Sequence, residues 1–144
     1  MSVAALSPEE TANRSAEALG ADDAAARALG IERLEVGPGR ARLAMTVLET
    51  MTNGHGLCHG GYVFLLADTA FAYACNSHGA RAVAQHAQVS FLAPGRLGAR
   101  LTAEAVERQR GERSGITDVT VRDESGRTIA EFRGVSKVIA GSLV

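Results

Sequence analysis

The spacing of apolar residues changes along the chain, and each change marks a different kind of element. Ser7-Pro8-Glu9-Glu10 opens the first segment. Serine can cap a helix, proline suits the first helical position, and a glutamate at the third completes a capping box. Alanine and leucine follow to Leu19, where Gly20 interrupts; Asp22 and Asp23 can cap a shorter piece over residues 24–29, stopped by Gly30. The period then falls to two. Residues 31–36 and 41–47 are predicted strands joined at Gly37-Pro38-Gly39. A glycine-rich stretch from Thr52 to Gly61 leads into the most apolar segment, residues 62–75, a predicted helix ended by Asn76-Ser77-His78-Gly79. Strand-like runs over 82–92, 100–110, 116–122 and 128–139 complete the chain, with turn signals at Gly111 and Ser125-Gly126. Strands in sequential hairpins are antiparallel, so the fold class is α+β. A helix that is apolar nearly all round must be covered on most sides. A curved sheet wrapped round it does that.

A chain of 144 residues makes one domain, spanning 1–144, with residues 1–30 as its N-terminal helical segment. Fifteen basic against sixteen acidic residues leave no basic excess for a general nucleic-acid binder. Aromatics at 4 % supply no stacking platform for bases. Cys58 and Cys75 form no CxxC motif and no disulfide framework, so a reduced, cytoplasmic setting is expected. The first residues lack the apolar core and basic flank of a secretory signal. No charge-free run approaches the roughly 20 apolar residues of a membrane span.

Asp68 is the anomaly in this pattern. Its helical neighbours Phe64, Leu65, Phe71 and Ala72 are all apolar. The plain reading is an acid on the one exposed stripe of a core helix. The sharper reading is a partly desolvated carboxylate, which burial makes a stronger base once ionised. His59-Gly60-Gly61 forms the second feature: two residues without side chains where a helix start projects free N–H groups. That arrangement suits the oxygen of a polarised carbonyl; the plain reading is a glycine-rich loop needing positive φ. Asn53 either holds a water or makes a turn before Gly54. His59 either steadies the loop or donates to a carbonyl. His55, Cys58 and His59 give poor tetrahedral bite, and no metal site is expected.

Spacing adds a geometric argument. Gly60 and Asp68 are eight residues apart, or about 12 Å along a helix. One chain's helix start and its own Asp68 are therefore badly placed to serve one small carbonyl. Two such helices lying antiparallel across a two-fold axis would bring Gly60 of one copy near Asp68 of the other, giving two equivalent shared sites.

The run Asn53-Gly54-His55, Cys58-His59-Gly60-Gly61 and Leu66-Ala67-Asp68-Thr69-Ala70-Phe71-Ala72-Tyr73-Ala74-Cys75-Asn76-Ser77 resembles the hotdog-fold acyl-CoA thioesterases. It is most similar to their PaaI-type branch, associated with bacterial phenylacetic acid degradation. The resemblance extends from Ala24 to Gly134. It implies a curved antiparallel sheet round one long helix, dimers commonly paired into tetramers, and active sites at the dimer interface. It implies that Asp68 is the catalytic carboxylate, as general base on water or as nucleophile forming a mixed anhydride. The Gly60 N–H then polarises the thioester carbonyl, Asn53 places the water, and His59 supports the carbonyl-binding loop. Some relatives carry a serine or threonine on the following strand; Ala84 stands at that place here, so the helper is absent.

The implied reaction is acyl-CoA plus water giving acid plus free CoA, with no cofactor beyond the CoA of the substrate. Phenylacetyl-CoA and its ring-hydroxylated relatives are the implied substrates. Gly61, Leu57, Phe64, Tyr62, Leu65, Phe71 and the strand over 85–91 are the candidate acyl pocket, shared with the core. Arg108, Arg110 and Arg113 round Gly111, with Arg133 and Lys137, are candidates for the CoA phosphates, against the plainer reading of a solvated hairpin tip. Two rivals remain. A hotdog hydratase or dehydratase fits less well, because residues 62–77 hold no histidine. A non-catalytic acyl-CoA-binding protein would need a DNA-binding segment or a second domain.

Overall fold

The computed structural model describes residues 4–144. Ser7 caps helix α1 (Pro8–Ala21): its Oγ accepts from the Glu10 N–H at 3.1 Å, while the Glu10 carboxylate accepts from the Ser7 N–H at 3.2 Å. The expected capping box is present. Gly20, however, does not end this helix. It lies inside the last turn, where a Cβ would stand 2.7 Å from Tyr73 Oη and 3.0 Å from Arg33 Nη1. Close approach of the two side chains, not chain reversal, explains glycine there. Asp23 then caps α2 (Ala24–Ala28), its Oδ1 accepting from the Ala26 N–H at 3.0 Å, and Gly30 turns the chain at φ +67°.

Among the described residues, six strands form one antiparallel sheet: β1 (Glu32–Gly37), β2 (Arg40–Thr46), β3 (Ala80–Phe91), β4 (Arg100–Arg110), β5 (Ser114–Arg122) and β6 (Thr128–Ser142). Their spatial order is β1-β2-β4-β5-β6-β3. The strands after the helix are therefore not all sequential hairpins. β4, β5 and β6 are, but β3 skips to the far edge beside β6, and β4 returns beside β2. The long helix α3 (Gly60–Cys75) lies along the strands, not across them. Gly60 at its start rests against Phe91 at the end of β3, whereas Asn76 and Ser77 at its far end bond Ala82 near the start of β3 and Gly39 just before β2. β2 and β3 thus flank one helix, and the three strands between them curve round it.

The core sits between α3 and the concave face of the sheet. Leu66, Ala67, Ala70, Phe71 and Ala74 of the helix are fully buried against Leu43 and Met45 of β2, Leu101 and Ala103 of β4, and Val119 and Val121 of β5. Alternation along β4 and β5 sends these residues inward and their neighbours outward. Gly134 of β6 leaves space for the Phe71 ring, which a Cβ would overlap. Asn76 closes the helix. Its Nδ2 donates to the Ala72 carbonyl at 2.9 Å and its Oδ1 accepts from the Ala82 N–H at 2.9 Å, tying the helix end to β3.

Among the described residues, one stripe of α3 and most of β3 are left open. Gly61, Phe64, Leu65, Asp68 and Ala72 form a stripe of α3 that its own sheet does not bury fully. β3 is largely exposed on both faces; only Ala82, Ala87 and Val89 are partly buried against the core.

Candidate active site

Asp68 projects from the open stripe of α3 and is half-buried. Burial alone pushes its carboxyl above the ordinary aspartate range, with no charged neighbour or hydrogen bond resolved to offset it. The flanking Phe64, Leu65 and Ala72 supply the low-dielectric surroundings. Both readings of Asp68 thus meet at one place: it lies on the exposed stripe, and it is desolvated there.

At the other end of the stripe, His59 is the N-cap of α3 and its Nδ1 accepts from the Gly61 N–H at 2.9 Å. With Nδ1 accepting, a neutral ring carries its proton on Nε2. The Gly61 donor is consumed by this cap. Among the described residues, the Gly60 N–H makes no hydrogen bond, so the bare amide at the helix start is Gly60. Helix-terminal N–H groups of this kind carry partial positive charge.

The loop before the helix is pinned from three sides. Asn53 Oδ1 accepts from the His55 N–H at 2.9 Å and the Leu57 N–H at 3.2 Å. Asn53 is therefore the turn asparagine of the plain reading; its Nδ2 donors are not used in that turn. The His59 N–H donates to the Met51 carbonyl and the Cys58 N–H to the Gly95 carbonyl, each at 2.8 Å. Asn53, Leu57 and Gly60 line one cleft of about 450 Å³, walled by Val63, Phe91, Leu92 and Ile129. Asp68 is not among its lining residues, in keeping with the separation along the helix.

Neither cysteine is poised as a nucleophile. Burial raises the Cys58 thiol. The Cys75 thiol is pushed up to about 12, chiefly by burial and then by the carboxylates of Glu107 and Asp68, so it stays protonated at neutral pH. Among the described residues, no three His, Cys, Asp or Glu side chains come together as a metal-binding group, and no helix is long and apolar enough to cross a membrane.

Residues 55–130 match the family model of the thioesterase superfamily. The chain belongs to that superfamily. It is 46 % identical over 130 residues to the acyl-coenzyme A thioesterase PaaI of Escherichia coli strain K12, covering 90 % of this chain and 93 % of that one. The solved structure of the E. coli PaaI protein from the phenylacetic acid degradation operon superposes with a TM-score of 0.93 at 46 % identity, covering 94 % of this chain and 99 % of that one. The human acyl-coenzyme A thioesterase 13 is 30 % identical over 111 residues, 74 % of this chain and 79 % of that one. The sheet wrapped round α3 is the hotdog thioesterase fold, and the chain is a thioester-hydrolysing enzyme of this superfamily.

Other candidate residues lie further off. Phe64 packs edge-on against Phe132 at 5.4 Å between ring centroids, beside Asp68 on the open stripe. Phe71 is core, 1 % exposed. Arg133 lies on β6, its Nε donating to Asp118 Oδ1 at 2.6 Å and its Nη2 to Asp118 Oδ2 at 2.8 Å. Arg108 also reaches Asp118, at 3.3 Å. These two guanidiniums, Arg133 foremost, hold the Asp118 carboxyl below its ordinary range, and both are already engaged within the chain. Arg113 stands in the turn beside Ser114, which pairs with Lys137, whereas Phe91 of the cleft pairs with Ala130. Seven strand residues, or about 23 Å, separate those two levels of the sheet. That distance keeps Arg113 from the Gly60 cleft of the same chain. Arg133 is only three strand residues from the level of Phe91, but it alternates with the core residue Phe132, is held by Asp118 and does not line the cleft. Sequence reading missed a further polar pair: His78 Nε2 meets Glu107 Oε1 at 2.8 Å beneath the end of α3. The two residues are 29 apart in the chain, and no local pattern links them.

Proposed function

We propose that this protein hydrolyses acyl-CoA thioesters, with phenylacetyl-CoA and ring-hydroxylated phenylacetyl-CoA as its substrates. The observation that carries the reading is the pairing, on one helix, of an unengaged Gly60 N–H with the half-buried, unpaired carboxylate of Asp68. The identity to PaaI of E. coli and the operon in which that protein is described support the aryl-acetyl choice.

In the proposed reaction Asp68 takes a proton from water as the water oxygen bonds to the thioester carbonyl carbon. The carbonyl oxygen gains negative charge against the Gly60 N–H. The C–S bond then breaks, and the CoA thiolate leaves with the proton held by Asp68, which restores the carboxylate. Asn53 Nδ2 is the donor that orients the water, and His59 holds the helix start through the Gly61 N–H. The only cofactor-like group required is the CoA of the substrate itself. The alternative, direct attack by Asp68, forms a mixed anhydride that water then cleaves.

The site is shared between two copies of the chain. Support comes from the separation of Gly60 and Asp68 by about 12 Å of helix, and from the open stripe of α3 and the exposed edge strand β3. Antiparallel pairing of two α3 helices sets Asp68 of one copy against Gly60 of the other, in a dimer or a dimer of dimers. Arg113 lies too far from its own cleft, so its role toward a CoA phosphate would be filled at the partner copy's site. Two buried, unpaired cysteines fit a reduced, cytoplasmic location.

Complementation tests the shared site. Asp68→Asn removes the base. Gly60→Pro removes the N–H at the helical position that best tolerates proline, and its Cβ, 3.0 Å from Phe91 Cζ, also shifts that ring. Each variant alone should release little thiol from phenylacetyl-CoA, and the co-expressed mixture should recover a substantial fraction of activity through hetero-oligomers with one intact site. A mixture no more active than its parents would overturn the sharing. Absence of thiol release by the wild type across a panel of acyl-CoAs would overturn the acyl-CoA reading.

A further inference from the structure

Building on the acyl-CoA reading, we propose that Phe91 is the specificity-determining residue for the acyl group, its exposed ring forming an aromatic wall beside the Gly60 amide and selecting aryl-acetyl over alkyl thioesters. The chain has four phenylalanines. Three of them pack together, with Phe132 5.4 Å from Phe64 and 5.8 Å from Phe71 between ring centroids. Phe91 stands apart from that cluster and is 55 % exposed. Its neighbour Leu92 is 58 % exposed, and both line the Gly60 cleft with Leu57, Val63 and Ile129; a contiguous apolar patch in a concave site marks a binding surface.

That position is against Gly60. A Cβ built on Gly60 would lie 3.0 Å from Phe91 Cζ and 3.1 Å from Cε1. The ring therefore rests on the bare backbone at the start of α3, and the missing glycine side chain is what admits it. The placement is rigid from both sides. Beyond Phe91, the Leu92 N–H donates to the Ile129 carbonyl at 2.8 Å. The Gly95 carbonyl accepts from Cys58 at 2.8 Å, and Leu57 bridges Arg96, so the chain after the ring is fastened to the loop before the helix. Around the ring the cleft is apolar, with Leu57, Val63, Leu92 and Ile129 among its walls.

A carbonyl oxygen accepting from the Gly60 N–H at about 2.9 Å sets the adjoining acyl methylene next to this ring. In a phenylacetyl group the aromatic ring begins one bond further on. That reach suits an offset or edge-to-face ring pair at 4.5–7 Å between centroids. A straight alkyl chain gains apolar contact there but no ring pair. The apolar contact is common to both acyl groups, so the discrimination expected from the ring pair is about 2- to 12-fold.

The test compares wild type with Phe91→Ala and Phe91→Leu. kcat/KM is measured for phenylacetyl-CoA and hexanoyl-CoA, and affinity for free CoA by calorimetry. The ratio of phenylacetyl to hexanoyl kcat/KM should fall about 2- to 12-fold in both variants, with free CoA bound as before. Phe91→Leu keeps apolar bulk without the ring and separates aromatic recognition from mere filling. An unchanged ratio, or weaker binding of free CoA, would overturn the proposal; the latter would mean that the cleft holds the CoA arm. Should the wild type hydrolyse nothing, the reading beneath the proposal fails, and Phe91 is judged by binding alone. A non-hydrolysable phenacyl thioether of CoA must then bind more tightly than free CoA to the wild type and lose that preference in Phe91→Ala.

Discussion

Replacing Asp68 by asparagine should impair catalysis and stabilise the fold at once. The substitution keeps the side-chain shape and removes both the charge and the basicity. In the structure the carboxylate is half-buried among Phe64, Leu65 and Ala72 and has no resolved charge or hydrogen-bond partner, so amidation breaks no contact. As general base it accounts for about 10²- to 10⁴-fold in rate, which is about 2.7–5.4 kcal/mol of barrier at roughly 1.36 kcal/mol per tenfold. Stability moves the other way. Burial raises the folded carboxyl above its unfolded value, so ionisation costs the folded state free energy. That cost is absent below the unfolded pKa, grows as pH rises toward the folded pKa, and is complete above it. Asp68→Asn should therefore melt higher than wild type near pH 7, with the gap closing as the pH falls. Thiol release from phenylacetyl-CoA reads the first effect and thermal unfolding between about pH 4 and 7 reads the second. In the wild type the acid limb of kcat/KM should lie above the ordinary aspartate value of about 3.9. A folded Asp68→Asn protein with near-wild-type turnover, or one that melts lower than wild type at pH 7, would refute the argument.

Gly134→Ala should cost about 1–3 kcal/mol in urea unfolding, because its Cβ overlaps a Phe71 ring that is only 1 % exposed. Trimming that ring with Phe71→Leu in the same chain should recover part of the loss, and a fully stable single variant would disprove the clash. His59→Ala should cost about 0.5–2 kcal/mol by removing the acceptor for the Gly61 N–H. His59→Asn, which can cap in its place, should recover most of that in the same unfolding assay; equal stability of wild type and alanine variant would show that the cap contributes nothing.

Much of the fold was legible locally. The Ser7–Glu10 box and the Asp23 cap join residues three apart, so the sequence contains both partners of each bond. Gly20 read as a helix stop because nothing nearby in the chain announces Tyr73 and Arg33 pressing on it. Asp68 stood out against its apolar neighbours, whereas Asn53 left two readings open until the loop closed on its Oδ1. Phe91 is marked in the sequence only as the end of a strand expected to line the acyl pocket; its contact with Gly60 joins residues far apart in sequence.

The amino-acid order by itself determined the elements, the greasy central helix and the one acid embedded in it, because periodicity, capping and desolvation act over a few residues. Strand order, the far-edge position of β3, the covering of Gly60 by Phe91 and the engagement of Arg133 by Asp118 were decided only by the tertiary structure. Antiparallel strands of similar composition can pair in several orders with comparable local energy. The choice among them is made by the apolar area that one particular wrapping buries against α3.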